Sequence, residues 1–166
     1  MSEHDTSFQV GDQVIHWAYG LGEIIQLDEK VLSGQTGKYY VVQIRDLTLW
    51  VPYNGTGEHC LRFPTPARDF QKLFRILSSP GEPLSVDRFT RKTQLMELLR
   101  DRTLESICRV VRDLMCYKRT NKLNDNDNTV LAHAMDFLLI EWSMALSVPV
   151  QQAEGELMNL LEPIVV

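Results

Sequence analysis

The sequence predicts an α+β chain: a small antiparallel β unit, a barrel or sandwich, over residues 1–64, followed by an all-helical bundle over 65–166. Three observations lead there. From Phe8 to Phe63, short runs rich in valine, isoleucine and aromatic residues alternate with glycine-marked turns. No helical period interrupts those runs, which excludes a parallel sheet built on helical crossovers. After "PTP" (Pro64 to Pro66) the apolar spacing changes to that of amphipathic helices.

In the β unit, "QVIHW" and "LGEIIQL" flank "AYG", and "KYYVVQI" and "LTLWV" flank "RD". Turns are expected at Gly20, Gly22, Gly34, Gly37, Asn54, Gly55 and Gly57. If "YYVVQIRDLTLWV" is a hairpin, alternation puts Tyr40, Val42, Ile44, Leu47, Leu49 and Val51 on one face. The other face then carries Gln43, Arg45, Thr48 and Trp50. A tryptophan among polar residues on a small sheet is an interface anchor, unless the helical half covers it. Trp17, beside the "AYGLG" turn, reads as packing at the end of the barrel.

Helices are expected near 66–78, 88–100, 103–119, 125–147 and 150–161. "SSPGEP" (Ser78 to Pro83) separates the first from the second. In the third, Leu104, Ile107, Cys108, Val111, Leu114 and Met115 make one apolar stripe. Asn124 is placed to cap the fourth, with Asp127 in its first turn. That fourth helix is apolar around most of its girth (Leu131, Ala134, Leu138, Trp142, Ala145), as the central helix of a bundle would be.

The net charge of -5 hides a partition. Residues 1–87 carry 7 basic and 11 acidic side chains. Residues 88–122 carry 10 basic and 4 acidic, and residues 123–166 carry 7 acidic and no Lys or Arg. A basic block this sharply bounded is either a footprint for a polyanion or a solvated helix face. Hydrophobic content of 44% is that of a globular protein. No apolar run reaches the eighteen or so residues of a membrane span, and "MSEHDTSFQV" lacks the features of a signal peptide. The expectation is a cytoplasmic protein with no membrane partner. Cys60, Cys108 and Cys116 are odd in number and show no CxxC spacing, which points to reduced thiols.

Catalytic and metal motifs are missing. His4, His16, His59 and His133 have no partner at metal-ligand spacing. "YGLGEI" opens onto a strand, so it cannot place a helix N-terminus against a phosphate. "LNDNDNT" lacks the glycine and terminal glutamate of a calcium loop. There is no GxSxG elbow. An enzyme would need a dispersed site, for instance His59 and Cys60 joined by a carboxylate. The expectation is no enzyme, no cofactor, no metal and no small-molecule substrate.

Taken together, "FQVGDQVIHWAYGLGEI", "DLTLWVP", "VVRDL" (Val110 to Leu114) and "LNDNDNTVLAHAMDFLLIEWSMAL" resemble the CarD/CdnL family of bacterial transcription regulators over nearly the whole chain. The first segment is also similar to the polymerase-binding module of transcription-repair coupling factors. The resemblance implies a Tudor-like β domain that pairs with the lobe of the RNA polymerase β subunit. It also implies a helical domain that touches promoter DNA at the upstream edge of the melting region. A basic residue of the family's polymerase contact falls on Lys30, and an arginine of that contact falls on Trp50. The family's minor-groove tryptophan falls on Arg88, beside Phe89. Phe89 either replaces that wedge or packs in the core with Met96.

The resulting expectation is a nucleoid-associated regulator of transcription initiation. It would bind polymerase through Lys30, Gln43, Arg45, Thr48 and Trp50. It would bind DNA, mainly at phosphates, through Arg88, Phe89, Arg91, Lys92, Arg100, Arg109, Arg112 and Arg119. The alternative is an adaptor that binds polymerase or another protein without touching DNA.

Overall fold

The computed structural model describes residues 8–53 and 61–162. His4, Asn54, Gly55, Gly57, His59 and Cys60, singled out above, lie outside the described residues. The chain divides into two compact units, Met1–Pro64 and Thr65–Val166.

The first unit is an antiparallel sheet of five strands: β1 (Gln13–His16), β2 (Gly20–Leu32), β3 (Gln35–Ile44), β4 (Leu47–Pro52) and β5 (Leu61–Arg62). Their order is β4-β3-β2-β1-β5. Among the described residues β4 and β5 are edges that do not pair, so the sheet is open where a closed barrel was one expectation. Among the described residues β5 is a two-residue strand that pairs with β1 alone, and β4 pairs with β3 alone. The β3–β4 hairpin has the register its alternation predicts, with Tyr40 opposite Val51, Val42 opposite Leu49 and Ile44 opposite Leu47. Tyr40, Val42, Ile44 and Val51 join Phe8, Val14 and Ile24 in the core. Leu47, next to the turn, stays exposed.

Gly22 is not a turn residue. It lies within β2, where a Cβ would stand 2.5 Å from Ile44 Cγ1 and 2.9 Å from the Gln43 carbonyl oxygen. Glycine is required there because β3 packs against its backbone. The β1–β2 turn is tied instead by His16, whose Nδ1 accepts from the backbone N–H groups of Ala18 and Tyr19 at 3.0 and 3.3 Å.

The second unit holds α1 (Phe70–Ser78), α2 (Arg88–Leu98), α3 (Leu104–Lys118), α4 (Asp125–Leu146) and α5 (Val150–Leu161). Short 3-10 turns, Ala67–Asp69 and Leu99–Asp101, precede α1 and follow α2. α3 packs against α1 and α4, and α5 closes on α4 and α1. Their shared core includes Phe70, Leu73, Leu77, Ile107, Val111, Leu114, Leu138, Trp142 and Leu157. By length and composition α4 could cross a bilayer. Its buried Glu141, which accepts from the Thr65 N–H at 2.8 Å, and its packing against α3 and α5 fit the core of a bundle.

The Ser79–Pro83 segment lies against α3. A Cβ on Gly81 would stand 2.8 Å from Cys116 Cβ, and the Glu82 N–H donates to the buried carboxylate of Asp113 at 2.9 Å. α2 is the least embedded helix: only Arg91 and Leu95 are buried.

Burial pushes the Cys108 thiol up to about 12, with the charge of Glu105 adding to it. A folded value above the ordinary 9.0 means that folding favours the protonated thiol. This contribution is complete below pH 9 and is lost as pH rises toward 12. Urea unfolding of wild type and Cys108→Ala between pH 7 and pH 10.5 should show the advantage of wild type shrinking in the alkaline arm. A constant difference would mean that the thiol does not ionise on unfolding.

Candidate functional site

Each unit presents one surface where the residues singled out from sequence gather. On the β unit it is the face opposite the core. Trp50 pairs with Val41 across the β3–β4 ladder and is 42% exposed. Its Nε1 donates to Asp28 Oδ2 at 3.1 Å, and Lys30 Nζ stands 4.0 Å from its ring centroid. A cation over an indole at an exposed site contributes about 0.5–1 kcal/mol. Both contacts reach past β3 to β2, so they hold the ring across β3. Asp28 and Lys30, both on β2, thus fix the orientation of a side chain on the edge strand.

Gln43 and Thr48 share this face but are occupied with each other. The Thr48 hydroxyl donates to Gln43 Oε1 at 2.7 Å, and Gln43 Nε2 donates to the Arg45 carbonyl at 2.6 Å. They brace the hairpin turn. Arg45 departs from its expected place: it sits in the turn, at φ 54, so it projects from the tip and not from the strand face. β4 is an edge, so alternate backbone N–H and C=O groups point away from β3, as strand addition requires.

On the helical unit the surface is α2 and the residues before it. Asp87 caps α2, accepting from the Thr90 N–H and hydroxyl at 2.9 Å each. Those two hydrogen bonds hold its carboxyl below the usual carboxylate range. Phe89 is 67% exposed, which removes the core-packing reading. Met96, expected beside it at the apolar border, faces solvent as well. The Arg88 guanidinium lies 4.8 Å from the Phe89 ring centroid. Lys92 and Arg100 are exposed on the same helix and its 3-10 extension, with Arg100 loosely paired to Glu97 at 3.4 Å.

The remaining cations divide. Arg109 and Arg112 line a groove of about 610 Å³ between α3, the Glu82–Leu84 segment and the Thr90, Thr93 and Gln94 flank of α2. Arg112 donates to Asp113 Oδ1 at 2.9 Å and to the Ser79 hydroxyl at 2.8 Å. Arg119, at the C-cap of α3, is exposed and donates to the Leu161 carbonyl. Arg91 must be withdrawn from the surface. It is 3% exposed, and its Nε and Nη2 form a fork on Asp127 at 2.8–3.1 Å.

The sequence did carry a signal for Arg91. It precedes the buried Leu95 by four residues, which puts both on the inward face of α2. The Lys30–Trp50 stack had no such signal, because it depends on the β2–β3–β4 register. Among the described residues no His, Cys, Asp and Glu side chains gather as a group that could hold a metal.

Comparison with known proteins agrees with the two-part layout. Residues 8–62 match the CarD-like/TRCF RID domain, and residues 72–158 match the CarD C-terminal domain. A relative in Bacillus subtilis (strain 168), named "Putative transcription factor YdeB", is 27% identical over 140 residues, covering 81% of this chain and 89% of the relative. With the helical model alone spanning more than half of its length and the β model most of the rest, the chain belongs to the CarD family of transcription factors.

Proposed function

We propose that the protein is a non-enzymatic regulator of bacterial transcription initiation that joins RNA polymerase to promoter DNA. The β unit, read as the family's Tudor-like module, adds its edge strand β4 to the lobe of the polymerase β subunit. Trp50, backed by Lys30, is the anchor. The helical unit meets promoter DNA at the edge of the melting region. Arg88, Lys92 and Arg100 contact phosphates there, with Arg109, Arg112 and Arg119 as secondary cations, and Phe89 enters the minor groove.

The observation that carries the reading is the edge-strand tryptophan, 42% exposed and held in place by a cation–π contact at 4.0 Å. It combines a backbone edge with a rigid aromatic, the ingredients of strand-addition recognition. The exposed Phe89 beside Arg88 supports the DNA half, because apolar wedges flanked by cations splay base steps.

The test uses two titrations of the full chain. Fluorescence anisotropy against a purified β-lobe fragment should show saturable binding. Duplex DNA should bind at 50 mM salt, with log K falling against log salt at a slope of about -3, on the order of -0.9 per phosphate neutralised by Arg88, Lys92 and Arg100. Absence of lobe binding would overturn the reading at its centre. Lobe binding without any duplex binding at low salt would leave the adaptor, which contacts polymerase and not DNA.

A further inference from the structure

α2 is thinly packed, yet in the reading above it carries the side chain that must open DNA. Unstacking a base step is unfavourable and must be offset by the inserted side chain. A wedge that is itself free to move would lose part of its effect to ordering. Apolar contacts cannot fix this end of the helix, because Val86 and Phe89 both face solvent and the first buried apolar residue of α2 is Leu95, near its other end.

What fixes it is Arg91. Its Nη1 donates to the carbonyls of Ser85 and Val86 at 2.9 and 3.3 Å, the two residues before the Asp87 cap. The same nitrogen donates to the Tyr117 hydroxyl at 3.0 Å, and the guanidinium lies 4.7 Å from the Tyr117 ring centroid. Nε and Nη2 hold Asp127. Asp127 in turn closes the cap of α4, accepting from the Asn124 N–H at 3.0 Å while its own N–H donates to Asn124 Oδ1 at 2.8 Å. One side chain thus ties the segment leading into α2 to the C-terminal turn of α3 and the N-terminus of α4. Gln94 adds a second tether, its Oε1 accepting from the Ser85 N–H at 2.7 Å.

We propose that Arg91 is a positioning residue for DNA opening: by clamping Ser85 and Val86 onto Asp127 and Tyr117, it aims the Val86–Phe89 tip at the base step. The inference rests on the DNA-contact reading. It assigns separate jobs to two neighbours, Lys92 holding phosphate and Arg91 touching no DNA. Only a guanidinium has the planar fork that reaches a carboxylate and two carbonyls at once, so lysine cannot replace it.

The test separates binding from opening. A promoter-like duplex with 2-aminopurine at a flexible TA step is titrated to saturation with wild type, Phe89→Ala, Arg91→Lys and Tyr117→Phe. Far-UV circular dichroism and melting curves confirm that each variant is folded at the assay temperature. The expected result for Arg91→Lys is duplex affinity within about threefold of wild type, an unchanged salt slope, and a saturating fluorescence change cut at least in half, as in Phe89→Ala. Tyr117→Phe, which keeps the ring and loses one hydrogen bond, should fall between and carries the test should Arg91→Lys fail to fold. A full fluorescence change in the folded Arg91 and Tyr117 variants would overturn the inference and leave the DNA reading standing. Loss of affinity in proportion to loss of folded protein would also overturn it, in favour of a purely structural arginine. Wild type that neither binds nor perturbs the probe would overturn both.

Discussion

Asp127→Ala is expected to be the most destabilising single substitution in the helical unit, lowering its stability by about 3–5 kcal/mol. The carboxylate is buried and does two jobs. It neutralises Arg91 through three contacts of 2.8–3.1 Å, and it accepts the Asn124 N–H in the capping box of α4. Its removal strands a guanidinium that is 3% exposed, with only the Ser85 and Val86 carbonyls and the Tyr117 hydroxyl as partners. The lost cap alone is worth about 1 kcal/mol.

The cost should be non-additive. Arg91→Leu together with Asp127→Asn removes both charges and keeps a side chain able to accept the Asn124 N–H, so the double variant should be more stable than Asp127→Ala. Alkaline titration of the arginine contributes nothing at working pH. The hydrogen bonds that Arg91 donates to Asp127 raise its value above that of an ordinary arginine, against the opposing effect of burial. Stability tied to a raised value is complete below the unfolded value and is lost only as pH passes above it. Urea unfolding followed at 222 nm measures the differences. A loss under 1 kcal/mol for Asp127→Ala would mean that the network is not formed in solution.

Asp127 and Arg91 also show where sequence reading reached its limit. The cap at Asn124 and the helix that follows were legible, because capping is local chemistry between residues three apart. The hairpin register and its buried face were legible because alternation has a period of two. Arg91 lies 36 residues from Asp127, and only tertiary packing joins them. Charge counting therefore placed Arg91 with Arg88 and Lys92 on a surface it does not occupy. Arg45 failed for a smaller reason: strict alternation carries it onto the face of Gln43, but the chain turns at that residue. Lys30 and Trp50 entered separately from sequence, and strand pairing made them one feature.

That feature is the basis of the second large effect. Trp50→Ala should weaken binding to the polymerase β lobe by at least about thirtyfold, the 2 kcal/mol or more typical of a buried aromatic anchor. The fold should tolerate the change, because Trp50 lies on an edge strand and outside the β core. Its main structural consequence is to uncover Val41, its partner across the ladder. Lys30→Ala removes only the cation behind the ring and should cost about two- to fivefold, the range of an exposed cation–π contact.

Trp50→Arg is the informative third variant, because it restores the residue type to which the family resemblance points at this position. Asp28, which now accepts from the indole at 3.1 Å, is placed to pair with a guanidinium, while Lys30 at 4.0 Å from the present ring would oppose it. Partial recovery of lobe binding, improved further by Lys30→Ala, would mean that tryptophan and arginine are alternative solutions to one contact. Duplex affinity should stay unchanged in all three variants, since Trp50 and Lys30 belong to the β unit and the proposed DNA contacts to the helical unit. Equal lobe binding by wild type and Trp50→Ala would take the indole out of the interface and leave the backbone edge of β4 to carry it alone.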